Sequence, residues 1–205
     1  MSSIASPSLR PVLGNHLLQL RHASTLLRPL QRSDLPAWRA LYEHALKRTR
    51  QPYDANAEYR FLPTVQRSRL QHAGDTLLLG AFDAGGTLLG LSSVQLQCTQ
   101  AHRAELHWAC EAALAPTTHL ASALLALNGF LFQQVGLRRV VMLLSDTAQA
   151  ALVEALLASG YHHEAILRDH HRDSRGWHDR WLYALTAPAW QQHPASQDQR
   201  MRSSA

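Results

Sequence analysis

A chain of 205 residues with 46% apolar and only 17% charged residues has the length of one domain and enough apolar mass for a core, which excludes a disordered polymer. No run approaches the ~20 apolar residues of a membrane span, and Met1 to Arg10 lacks the apolar centre of a secretory signal, so cytoplasmic residence is expected. The net charge of +5 rests almost wholly on dispersed arginines, Lys47 being the only lysine, and this favours an anionic small ligand over nucleic acid, whose binders cluster charge and interleave aromatics.

Residues 1 to 15 read as an unstructured lead and Gln191 to Ala205 as a polar tail, leaving a domain over 16–190. Leu17 to Leu30 holds two short apolar runs broken at Ala23-Ser24, a pair of strands. Ser33-Asp34-Leu35-Pro36 opens a helix through Trp38, Leu41, Tyr42 and Ala45, with the proline in its first turn. The run Lys47-Arg48-Thr49-Arg50 reads as its solvated end. A second helix is expected from Thr64 to His72, closed by Gly74. Thr76–Phe82 and Thr87 to Gln97 form a hairpin around Asp83-Ala84-Gly85-Gly86. A strand follows from Arg103 to Glu111, then a loop from Ala112 to His119. Leu120 to Val135, apolar nearly all round, is a buried helix closed by Gly136. Arg139 to Ser145 is a continuous apolar run, the pattern of a strand covered on both faces. Asp146 starts a helix ending at Ser159-Gly160, and two last strands flank Asp173-Ser174-Arg175-Gly176.

The strand–helix–strand step from Arg103 to Ser145 predicts a crossover between parallel strands. The remainder predicts antiparallel pairing, so the expected architecture is α/β with a mixed, mostly antiparallel twisted sheet and helices on both faces.

Three stretches resemble the GNAT acyltransferase superfamily, in the branch that acetylates ribosomal-protein N-termini. TLLRPLQRSDLPAW (Thr25 to Trp38) resembles its opening strand and first helix, and GLRRVVMLLSD (Gly136 to Asp146) its third helix end and fifth strand. The third, Ala155 to Leu185, repeats the branch's order of Gly160-Tyr161, Glu164-x-x-Leu167-Arg168, Gly176-Trp177, Asp179 and Tyr183-x-Leu185; Trp190 stands where a closing Trp is common. The resemblance spans roughly Leu17 to Trp190. It implies the GNAT fold and acyl transfer from acetyl-coenzyme A (acetyl-CoA) to a primary amine of a protein N-terminus or small molecule. No nucleic-acid or membrane partner is expected, and a homodimer is compatible with the sequence.

The resemblance also assigns residues. The superfamily's pyrophosphate loop, Gln or Arg then spaced glycines, falls on Ala115-Pro116-Thr117-Thr118-His119-Leu120-Ala121, which has neither arginine nor glycine. Thr117, Thr118, His119, Leu120 and Ala121 are the implied coenzyme-binding residues, with Thr118 a possible helix cap. Cβ atoms there restrict close backbone approach, and Pro116 removes a donor. A free backbone N–H near Ala112 or Ala113 would polarise the thioester carbonyl. Gln149 stands where the branch has an Asn on the pantetheine arm, although Asp146 and Gln149 equally make a capping box. Leu152 replaces a serine of the branch, and Leu156 is nearest to the tyrosine that in many relatives protonates the leaving thiolate.

Two residues are candidate catalysts. Glu111, at the strand end, could take the proton from the attacking amine, or be a surface glutamate. His107 could act as base near neutral pH, or be hydrogen-bonded beside the core. Glu105 should share its face and is read as structural. Metal binding is not expected: His162-His163 and His170-His171 put adjacent rings on opposite strand faces, Cys98 and Cys110 fit no ligand spacing and read as reduced, partly buried thiols, and no carboxylate stands at ligand spacing. The degenerate loop leaves a second reading open, a GNAT-fold protein without catalysis that serves as a binding or structural partner.

Overall fold

The computed structural model describes residues 17–49, 57–70, 76–97, 102–110, 116–145, 150–173 and 176–197. Two short strands, β1 (Leu20–His22) and β2 (Thr25–Arg28), meet at a turn in which Ala23 takes φ of 47°. A 3-10 turn (Arg32–Asp34) leads into α1 (Leu35–Thr49), followed by α2 (Ala57–Arg69). The hairpin β3 (Thr76–Phe82) and β4 (Leu88–Gln97) precedes β5 (Arg103–Cys110). Next come α3 (Thr117–Gly129), which runs on as a π-helical turn over Phe130–Gln134, then β6 (Arg139–Ser145) and α4 (Ala150–Ala158). The long hairpin β7 (His162–Asp173) and β8 (Gly176–Thr186), and α5 (Ala187–Gln192), complete the order.

The described strands form one eight-stranded sheet in the order β1-β2-β3-β4-β5-β6-β8-β7. All neighbours are antiparallel except β5 and β6, the crossover pair. Strand alternation sends Leu77, Leu79, Val94, Leu106, Val140 and Met142 to one face, where Leu120, Leu124 and Leu127 of α3, Leu156 of α4 and Trp190 of α5 close the main core. On the opposite face Leu30, Trp38, Leu41, Phe61, Val65, Phe82 and Leu88 form a second core under α1 and α2, with Trp38 stacked on Tyr42 at 5.1 Å. Gly80 sits beneath it for lack of room: a Cβ there would come within 2.8 Å of Phe82 and 2.9 Å of Leu30.

Two buried polar contacts tie these layers together. The Asp34 carboxylate takes both Arg28 guanidinium nitrogens, at 2.7 and 2.8 Å, and the Gln31 N–H at 2.7 Å. Burial pushes its pKa up, but the Arg28 and Gln31 hydrogen bonds and the arginine's charge outweigh this and hold it below the ordinary carboxylate value. Tyr161 donates to Asn128 at 2.9 Å inside the core, and burial pushes the pKa of its hydroxyl far up, so it stays neutral.

The helix expected from Thr64 starts earlier, at Ala57, because Pro63 sits inside α2 on its exposed side, where water can serve the carbonyl it leaves free. The helix expected from Leu120 begins three residues sooner, with Pro116 as its cap residue. β6 is fully buried on one face only: Val140, Met142 and Leu144 are buried, whereas Val141, Leu143 and Ser145 are half-buried. Helical turns continue past Gln191 to Gln197, with Ser196 buried, so that part of the expected tail belongs to the fold.

Candidate functional site

The parallel ladder between β5 and β6 has three rungs, Arg103↔Arg139, Ala104↔Val140 and Glu105↔Val141. Beyond Glu105, β5 remains paired only with β4, through Gly90↔Cys110. Beyond Val141, β6 remains paired only with β8, through Ser145↔Arg180. The two strands therefore part toward their C-terminal ends, and the sheet opens into a fork. Facing edges in a fork carry backbone N–H and C=O groups that no neighbouring strand takes up.

One face of the fork lies against α3 and α4. On the other, alternation presents Glu105, His107 and Ala109 from β5, Ser93 and Gln95 from β4, and Val141, Leu143 and Ser145 from β6. His107 is the first side chain on this face past the last rung. It is 53% exposed, with Nε2 at 3.4 Å from Glu105 Oε1, and Gln97 Nε2 donates to Glu105 Oε2 at 2.5 Å. His107 and Glu105 do share a face, and the histidine stands toward solvent.

The N-terminus of α3 supplies a second feature. Pro116, at φ −54° and ψ 146°, is the cap residue and offers no side-chain hydrogen bond, and no acidic residue lies in the first turn. The N–H groups of His119 and Leu120 both donate to the Pro116 carbonyl, at 3.0 and 3.2 Å, leaving Thr117 and Thr118 as the uncapped donors. Thr118 lies inside the helix and does not cap it. Thr117 Oγ1 donates instead to Glu154 Oε2 of α4, at 3.2 Å, which sets a carboxylate beside this helix end. Leu120 is a core residue, Ala121 lies within the first turns, and the His119 carbonyl faces Thr25 Oγ1 at 3.5 Å. Glu111, Ala112, Ala113 and Gln149 lie outside the described residues, as does Cys98; of Cys110 only the backbone is described.

Two residues near this opening carry no motif in the sequence. Glu154 is the only charged residue of α4, a signal visible in the run Ala150 to Ala158. Arg180 interrupts the row Arg180, Leu182, Ala184 that β8 turns toward the fork's open face. Among the described residues, no three His, Cys, Asp or Glu side chains are placed to hold a metal ion, and no helix is long and apolar enough to cross a membrane.

No protein-family model matches the chain, and no curated protein matches it in sequence. Solved structures do. RimJ of Mycobacterium smegmatis, in complex with CoA-disulfide, is 18% identical over 91% of this chain and 94% of that one, with a TM-score of 0.71. The ribosomal-protein-S5-alanine acetyltransferase of Vibrio fischeri is 14% identical over 84% and 98%, at 0.66. A single-site mutant of the spermidine N-acetyltransferase SpeG from Vibrio cholerae is 16% identical over 82% and 97%, at 0.61. Neighbours of this kind are GNAT acetyltransferases, and their mixed sheet with one parallel pair is the architecture of this chain.

Proposed function

We propose that this chain, with its GNAT fold, is an acyl-CoA-dependent N-acyltransferase that moves an acetyl group to a primary amine of a protein N-terminus or small molecule. The observation that carries this reading is the fork, where the ladder stops at Glu105↔Val141. Unpaired strand edges accept an extended, amide-bearing chain, the chemistry of a pantetheine arm. The uncapped N–H groups of Thr117 and Thr118 suit its pyrophosphate. The solved neighbours, one holding CoA-disulfide, support the same donor class.

In this reading the acceptor amine approaches over the open face and forms a C–N bond to the acyl carbon as the C–S bond breaks. A backbone N–H at Ala112 or Ala113 donates to the carbonyl oxygen as it gains charge. Glu111 takes the amine proton, with His107 the second candidate for that step. The thiolate leaves with a proton from solvent, since Leu156, where a tyrosine acid would stand, is buried and apolar. Positioning and the backbone donor then supply most of the rate.

A second reading, a GNAT-fold binding partner without catalysis, is favoured by one observation. The helix end that should receive phosphate carries the Glu154 carboxylate and no glycine. Calorimetry with acetyl-CoA and coenzyme A, followed by a screen of peptides and polyamines, separates the two. The transferase reading expects a dissociation constant of order 10⁻⁴ M or looser, about −5.5 kcal/mol, and turnover of at least one amine. Absence of both selects the binding partner.

A further inference from the structure

Arg180 stands in β8 opposite Ser145 of β6 and Leu167 of β7, so these three share the open face at the far end of the fork. The next row on the same face is Leu143, Leu182 and Ala165. Every member of that apolar row is half-buried, and so is Arg180. Among the described residues its one hydrogen bond is from Nη1 to the Leu143 carbonyl, at 3.4 Å, and its buried Nε has no partner there. Among the described residues no carboxylate pairs with it. Its neighbour Asp179 is bound to Arg168 and to the Asp169 N–H, Asp173 to His178, and Glu164 to Arg139.

Three other guanidiniums of the sheet have such a partner, Arg28 with Asp34, Arg139 with Glu164 and Arg168 with Asp179. The strand arginines with no carboxylate partner among the described residues, Arg21, Arg103 and Arg172, are exposed where Arg180 is half-buried. A guanidinium partly withdrawn from water carries a desolvation cost that an anion would offset, and its planar fork matches a carboxylate. Across the opening, β5 presents Glu105 and His107 on the same face. The two sides thus differ in character, a carboxylate and an imidazole on β5 and a guanidinium on β8. A substrate bearing an amine and a carboxylate matches both.

We infer that Arg180 binds a carboxylate carried by the substrate, so that the favoured reaction joins a carboxylate-bearing partner across the fork. The inference rests on the transferase reading and names its substrate class. The carboxylate has two sources, an acidic acceptor or an acyl group ending in a carboxylate.

The test has one arm for each source. With acetyl-CoA, the acceptor Ala-Glu-Gly amide is compared with Ala-Gln-Gly amide. With Ala-Gln-Gly amide as acceptor, succinyl-CoA is compared with acetyl-CoA. The expected result is a preference for the carboxylate of roughly tenfold or more in kcat/KM, carried by KM, in one arm. In Arg180→Gln that ratio falls to near one, and Arg180→Lys restores part of it. A wild-type ratio near one in both arms, or a preference that survives Arg180→Gln, overturns the assignment. If no amine is acylated, the transferase reading falls by itself, and equilibrium binding decides Arg180. Calorimetry then compares succinyl-CoA with acetyl-CoA and glutarate with glutaramide. A carboxylate preference lost in Arg180→Gln upholds the site, and equal binding by the two proteins overturns it.

Discussion

Replacing Asp34 by Asn tests how far one carboxylate ties the first strands to the first helix. Asn keeps the size and one acceptor, but cannot take both Arg28 nitrogens and the Gln31 N–H with full charge. Arg28, 17% exposed and stacked 3.8 Å from the Phe82 ring, would be left without its counter-ion. Removing one partner of a fully buried pair costs roughly 3–5 kcal/mol, and an exposed pair is worth at most about 1. The remaining exposure and the retained acceptor place this variant between, at about 2–3 kcal/mol. Urea unfolding would show a lower midpoint at unchanged slope, and thermal unfolding a Tm lower by about 4–12 °C. The pH dependence carries the sign. Because the folded pKa of Asp34 is depressed, its contribution is full above the unfolded value near 4 and is lost as pH falls through the folded value. The stability gap between wild type and variant should therefore be widest near neutrality and close in acid. A loss below about 1 kcal/mol at pH 7, or a gap that is flat with pH, refutes the reasoning.

Three further outcomes are expected. Glu111→Gln should lower kcat roughly 10²-fold with coenzyme affinity nearly unchanged, and the residual rate should rise with pH as more amine arrives deprotonated; equal turnover between about pH 6 and 9 would remove Glu111, and a comparable loss in His107→Asn would move the base to His107. Glu154→Gln should tighten coenzyme A binding about two- to fivefold at low salt, an effect that shrinks as salt is added; calorimetry showing no change would mean this charge does not reach the ligand. Gly80→Ala should cost about 1–3 kcal/mol in urea unfolding, since its Cβ meets Phe82, Leu30 and Leu88 at 2.8, 2.9 and 3.1 Å.

The fold was legible where periodicity and punctuation agreed. Asp83 to Gly86 between two apolar runs announced the central hairpin, and the run Arg139 to Ser145 announced β6 to the residue. The starts of α2 and α3 were expected too late, at Thr64 and Leu120: in place, Pro63 is tolerated inside α2 on its exposed face and Pro116 is the cap residue of α3. The parallel pair was foreseen from the crossover. The site was less legible. Motif logic pointed to Thr117 and Thr118 but not to Glu154, which reaches Thr117 only because α4 packs beside α3. Arg180 looked like any strand arginine until the partners of its neighbours were known, since a missing counter-ion is a property of three dimensions.

The three rungs between β5 and β6 make the sheet two plates hinged on a short seam. One plate holds β1 to β5 and the other β6, β8 and β7. Below the seam α3 and α4 back both plates mainly through apolar contacts, with the Thr25–His119 hydrogen bond as a directed one. An extended molecule laid along the gap would hydrogen-bond to both edges at once and act as a splint. Much of its binding energy would then go into stiffening the protein, and the aperture offered to the second substrate would depend on the first already being in place.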